Sequence, residues 1–289
     1  MLKTTMTCLA TALLWMSATT NVALADQVKG NPCATCHKDV AKNLVMTRHG
    51  VTADARTPAN NCMMCHGEAL RHMSNPMKNK PQYTFKKDKK GFSKGEQADK
   101  ACIACHKGSE QTHWAGSTHQ QNDVACVSCH SVHKADIALN NQTSTALCLS
   151  CHNNEKQNLF KMHNHPLLSG QMNCVSCHNP HGNVVSGETL MKKRTVNETC
   201  YQCHADKHGP FLNKHQPVTE DCTNCHAPHG SNKEGMLKMR TTQLCMSCHA
   251  DAHDFANEQG VLTGNCLSCH SAIHGSNAPT SAGKHLQSK

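Results

Sequence analysis

Apolar positions are thinly spread along this chain. One short apolar run, Leu9 to Met16, stands near the start behind Lys3. It is far shorter than the roughly 20 residues that a spanning helix needs, and no later segment is apolar enough to cross a bilayer as a helix. Ala23-Leu24-Ala25 ends this opening stretch as a small-residue cleavage site before Asp26. Residues 1–25 therefore read as a secretory signal peptide and residues 26–289 as the mature chain. Beyond it the pattern predicts short helices of a turn or two, ended by Pro and Gly, and no strand-rich region. The mature chain holds only eight aromatic residues. Such a chain buries too little apolar surface to offset the entropy of ordering it. Something other than its own side chains must form the core.

The cysteines supply the candidate. Of 21, twenty fall in ten copies of Cys-x-x-Cys-His. The first five triples are Cys33-Cys36-His37, Cys62-Cys65-His66, Cys102-Cys105-His106, Cys126-Cys129-His130 and Cys148-Cys151-His152. The second five are Cys174-Cys177-His178, Cys200-Cys203-His204, Cys222-Cys225-His226, Cys245-Cys248-His249 and Cys266-Cys269-His270. This is the pattern of c-type haem attachment. Each thiol forms a thioether to one haem vinyl group, and the adjacent His lies under the iron as proximal ligand. A zinc site needs paired cysteines but no fixed third residue, and a disulfide scaffold needs no His. Ten repetitions of the whole triple leave those readings little room. The expected cofactors are ten covalent haems c, which then form the core, so that haem binding and folding are one process. Twenty cysteines on an exported chain also place it in an oxidising compartment, a periplasm.

Fourteen further histidines could close the distal faces. Ten of them follow a rhythm, bracketing every second motif. His49 and His72 flank Cys62, His119 and His133 flank Cys126, and His165 and His181 flank Cys174. His215 and His229 flank Cys222, and His253 and His274 flank Cys266. The first cysteines at 126, 174 and 222 are spaced by 48 residues, the signature of a repeat whose units contact chiefly their neighbours. A downstream His such as His181 lies three residues beyond its own motif His, with Pro180 between. It cannot wrap to the far face of the same ring and should serve a neighbouring haem. An upstream His has loop enough to return to its own unit. His113, His163, His208 and His285 are left as surface or propionate-pairing side chains. The methionines, among them Met172, Met236 and Met239, share no offset from the motifs and read as packing. Bis-His ligation throughout is the expectation.

Net charge is +9 overall and +8 without Lys3. A basic balance often signals nucleic acid or anionic membrane, but ten haems bring up to twenty propionate groups, and the lysines read as their counter-charges. The longest gap, His66 to Cys102, carries eight lysines with Tyr83, Phe85 and Phe92. It reads as a solvated loop pinned by an aromatic cluster, with a docking surface for an acidic redox partner as the sharper alternative. A break from Asn153 to Asn164 divides the mature chain into an N-terminal half, 26–155, and a C-terminal half, 156–289, of five haems each.

With the repeats laid out, the chain resembles the MtrA/DmsE family of periplasmic decahaem cytochromes. The likeness is strongest at His165-Pro166-Leu167, 177–182 (CHNPHG), 197–204 (NETCYQCH), 217–220 (PVTE), 225–230 (CHAPHG), 235–238 (GMLK) and 269–275. It implies a multihaem cytochrome c fold, mostly irregular with short α-helices wrapped around an elongated chain of ten haems in two pentahaem halves. It implies insertion into an outer-membrane β-barrel protein. Electrons would pass from a periplasmic or inner-membrane donor cytochrome to an extracellular cytochrome or reductase. No nucleic acid partner is expected. A soluble periplasmic shuttle without a barrel is the alternative. A multihaem reductase is disfavoured, because catalysis at haem needs an open iron position and the spare histidines suffice to close all ten.

Overall fold

The computed structural model describes residues 31–51, 62–85, 87–88, 91–92, 95–183, 190–250 and 265–278. The expected signal peptide, most of the lysine-rich stretch 86–94, His253 and His285 lie outside the described residues.

Each motif folds as one helical turn. In all ten, the N–H of the motif His donates to the carbonyl of the first Cys at 2.8–3.1 Å. This is the i to i+4 bond of an α-helix, and it holds both thiols and the imidazole on one short arc. Two kinds of local sequence produce that turn in seven of the ten motifs. The third, fifth, seventh and ninth motifs begin at or near the C-terminal end of a helix: Gly95–Ile103, Asn141–Leu149, Val196–Cys200 and Thr241–Met246. The sixth, eighth and tenth instead open 3-10 turns, Cys174–Ser176, Cys222–Asn224 and Cys266–Ser268. Asn or Asp precedes the first Cys of each. Asp221 accepts from the Thr223 N–H at 2.7 Å and Asn265 from the Leu267 N–H at 3.1 Å. Asn173 and Ser176 form a capping box. These short side chains satisfy the donors that a helix start leaves open.

The chain divides into two compact units. The first comprises the described residues up to Gln111 together with His119–Leu139, and the second comprises Thr112–Thr118 and the described residues from Asn140 on. The expected boundary after residue 155 thus falls inside the second unit. The cause is local: helix Asn141–Leu149, which carries the fifth motif, is bound to the sixth. Asn173 Nδ2 donates to Asn141 Oδ1 at 2.9 Å, and the Cys148 and Cys174 thiols are in hydrogen-bonding contact. Motifs one to four belong to the first unit and five to ten to the second.

Regular structure is sparse, as the sequence predicted. One two-residue hairpin, Lys87–Asp88 against Gly91–Phe92, is the only sheet among the described residues. In the second unit, isolated bridges replace sheets and repeat with the sequence. His178 pairs with Met191 and His226 with Leu237; His163 pairs with Ser231 and Asn213 with Ser276. Gly230 shows why the His-Gly turn keeps its glycine. Its φ is +141°, and a Cβ there would run into the Asn158 carbonyl oxygen. The turn therefore seats directly on helix Asn153–Asn158, which a side chain would prevent.

Among the described residues no large side chain is fully buried, and Ala41, Ala69, Ala98 and Ala125 are prominent among the buried apolar positions. Several buried groups are polar instead. Asp99, 3% exposed, accepts from the Cys126 N–H at 2.8 Å. Asn197, 7% exposed, accepts from the Cys222 N–H at 2.7 Å and donates to the Val218 carbonyl at 2.9 Å. Each stands three residues before one motif and fixes the start of the next. Burying a polar group without such a partner costs about 1–3 kcal/mol.

Candidate haem sites

The motif histidines are the fixed points of the sites. Seven of them face a second histidine from elsewhere in the chain at a nearly constant ring separation. In the first unit the pairs are His37 with His72 at 6.1 Å, His49 with His106 at 6.0 Å, and His66 with His133 at 5.9 Å. In the second unit they are His165 with His204 at 6.2 Å and His178 with His229 at 5.9 Å. His215 with His249 at 6.0 Å and His226 with His274 at 6.1 Å complete them. Every pair joins one motif His to one His from the flanking rhythm. Ordinary aromatic packing would not select partners in that way.

The spacing suits an iron between the rings. An imidazole nitrogen lies about 2.0 Å from a first-row metal, and adding the ring radius on either side puts the two centroids roughly 6 Å apart. Burial and the facing motif imidazole together push the pKa values of His49, His133 and His215 down. Burial first, and then Lys207 and His226, do the same for His274. A lowered pKa favours the neutral ring, which is the form that ligates a metal.

The allocation of rings divides the expectation. The downstream histidines His72, His133, His229 and His274 each face an earlier motif, not their own. The upstream histidines His49, His165 and His215 do not return to their own unit; each faces the following motif. The reason is visible at the sixth motif, where His178 is already faced by His229. The bridge of His163 to Ser231 and the bond from His165 Nδ1 to the Pro228 carbonyl, 2.9 Å, hold His165 away from it. His119 lies in the short helix Thr118–Gln121, and the buried Trp114 stands edge-on to His181 at 6.2 Å. His208 packs on Tyr201 at 4.6 Å, and His163 contributes its backbone to a bridge.

The anchoring cysteines show how consecutive sites adjoin. First-position thiols are in hydrogen-bonding contact in the couples Cys33 and Cys62, Cys102 and Cys126, Cys148 and Cys174, Cys200 and Cys222, and Cys245 and Cys266. Second-position Cys65, Cys177 and Cys225 lie within electrostatic reach of Cys105, Cys203 and Cys248. Within each unit, consecutive motifs therefore meet alternately through their first and second cysteines. Thioether sulfurs carry no proton, so in the holo-protein these contacts mark positions of attachment and not hydrogen bonds.

The outer nitrogens of the rings are fixed as well. His66 Nδ1 binds the Tyr83 carbonyl at 3.1 Å, His72 Nδ1 that of Asn79 at 2.9 Å, and His226 Nδ1 that of Gly235 at 2.7 Å. Two rings have carboxylates instead: His130 Nδ1 lies 2.7 Å from Asp136 and His229 Nδ1 2.6 Å from Glu155. Phe85, from the expected aromatic cluster, stands edge-on to His66 at 5.3 Å.

Comparison with known proteins bears on the class to which the motifs belong. A family model for the doubled CXXCH motif matches residues 164–209 and 215–254, and one for NrfB-like c-type cytochrome proteins matches residues 62–145. Together with the motif turns these matches define a multihaem c-type cytochrome, with covalently bound haem c and a role in electron transport. Over 274 residues the chain is 40% identical to the multihaem cytochrome MtrA of Shewanella baltica (strain OS185), covering 88% of this chain and 80% of that protein. The chain belongs to the MtrA family of multihaem cytochromes.

Proposed function

We propose that this protein is an electron conduit carrying ten haems c, each held by one Cys-x-x-Cys pair and by two axial histidines. Haem c supplies an iron that takes up and releases one electron. The ligand set is the ten motif histidines with His49, His72, His119, His133, His165, His181, His215, His229, His253 and His274. The observation that carries this reading is the set of seven ring pairs, each joining one motif to another part of the chain. Such pairs would close both faces of seven irons, which favours transfer over substrate chemistry. They also force order, since none of these seven sites is complete without a histidine from another repeat.

We place the protein in the periplasm, associated with the outer membrane. Its partners would be a β-barrel protein, a periplasmic or inner-membrane donor, and an extracellular cytochrome or reductase. The support is family membership together with the export signal. Among the described residues no helix is long and apolar enough to cross a membrane. Affinity purification of the tagged chain from detergent-solubilised outer membrane should bring down a barrel protein in equal amount. Recovery of the chain only from the soluble periplasm would leave the shuttle as the better reading.

The ring planes make a second test. His66 and His133 are within 3° of parallel and His226 and His274 within 14°, whereas His49 and His106 stand at 79°. Parallel rings split the iron d orbitals strongly, and crossed rings leave two of them nearly degenerate. Electron paramagnetic resonance of the oxidised protein should therefore show both rhombic and highly anisotropic low-spin signals. A single rhombic class would contradict this geometry.

A further inference from the structure

We propose that Asp136 and Glu155 are positioning residues that set the potentials of two particular haem sites, those completed by His130 and His229. This rests on the bis-His reading above and adds an order among the sites. Of the axial rings whose outer-nitrogen contacts are given above, four donate to backbone carbonyls: His66, His72, His165 and His226. His130 and His229 meet carboxylates.

Both carboxylates are built into place. Asp136 has a side chain only 16% exposed, and its second oxygen accepts from the Ala138 N–H at 3.0 Å. Glu155 lies in the first turn of helix Asn153–Asn158, and Asn158 Nδ2 donates to its Oε2 at 3.1 Å. The seat of Gly230 on the same helix brings the neighbouring His229 to that oxygen.

A carboxylate draws the Nδ1 proton further than a neutral carbonyl does, and the imidazole becomes a stronger donor to its metal. A stronger donor beside a negative charge favours the ferric state over the ferrous one. The one-electron couple at that iron is then harder to reduce. The two sites belong to the fourth and sixth motifs, one in each compact unit. They are low steps in the potential profile relative to the sites whose rings rest on carbonyls, those of His66, His72, His165 and His226. The sequence hides this difference. Asp136 lies six residues beyond its ring, but Glu155 lies 74 residues before His229 and in another repeat.

The test is a potentiometric titration of the whole holo-protein, followed in the visible haem bands, for wild type, Asp136→Asn and Glu155→Gln. Each variant should move one haem's share of the absorbance change to higher potential. The haem count and low-spin spectrum should stay intact. The near-infrared charge-transfer band of the oxidised protein should gain a component at longer wavelength, which a loss of charge without a change in ligand strength would not produce. Asp136→Glu and Glu155→Asp keep the charge but move the oxygen, and should give the same sign of shift in smaller amount. Titration curves that superimpose on wild type, with low-spin spectra retained, would overturn the proposal. High-spin iron in the wild type would instead overturn the ligation reading beneath it.

Discussion

Residues 26–289 produced without haem attachment should be an unfolded chain. Ordering one residue's backbone costs about 1–2 kcal/mol, and the apolar side chains available to offset it are few. Alanines are prominent among the buried apolar positions described, and no large side chain there is fully enclosed. Among the described residues the helices are no longer than nine residues, well below the length at which an isolated helix persists in water. What remains are single turns at each motif, paired rings roughly 6 Å apart, and polar side chains such as Asp99 and Asn197 holding one motif to the next. Haem held between the paired rings, as proposed above, would cross-link the turns. The check is circular dichroism and hydrogen exchange of the haem-free chain beside the holo-protein. The expected result is a coil spectrum with no cooperative thermal transition and amide exchange at near-random rates. A cooperative transition in the haem-free chain would show that the polypeptide carries a core of its own.

The motifs were legible because their chemistry is contiguous. Five residues hold both thiols and the imidazole, and one i to i+4 hydrogen bond shapes them. The scarcity of apolar positions likewise foretold short helices and little sheet. Partnership between distant segments was legible only in part. Pro180 and Pro228 argue against a return of His181 and His229 to their own motifs, and in the structure the ring of His229 faces His178. The upstream histidines were assigned to their own units because loop length permits it. Length is a permissive argument; the bridges at Ser231 and Ser276 hold His163 and Asn213, each two residues before an upstream histidine, beside a later repeat, and His165 Nδ1 bonds the Pro228 carbonyl there. Asp99, Asn197, Asp136 and Glu155 carry no local signature. Each is an ordinary polar residue until the fold brings a backbone N–H or an imidazole to it. The division of the chain near residue 140 has the same origin, because Asn141 and Asn173 are joined only in three dimensions.

Replacing His229 with Ala should open one iron, and it should be the iron of the sixth motif. His229 and His226 are separated by Ala227 and Pro228 and share one backbone turn. The ring of His229 faces His178 at 5.9 Å, while His226 is faced by His274 at 6.1 Å. The turn itself is pinned on both sides. Gly230 sits against the Asn158 carbonyl, and the Ala227 N–H donates to the Met236 carbonyl at 2.7 Å. Removing the imidazole therefore leaves a gap that the backbone cannot close by sliding. In His229→Ala, magnetic circular dichroism should show high-spin haem amounting to one site's share, with every thioether retained by mass. His274→Ala should give the same quantity of high-spin haem from the eighth motif. Double variants assign the signals. Adding Cys174→Ser and Cys177→Ser to His229→Ala deletes the sixth haem and should abolish the high-spin band. Adding Cys222→Ser and Cys225→Ser should leave it in place. The opposite outcome would mean that His226 and His229 close the same iron, and the linkage of each repeat to its neighbour would fall with it.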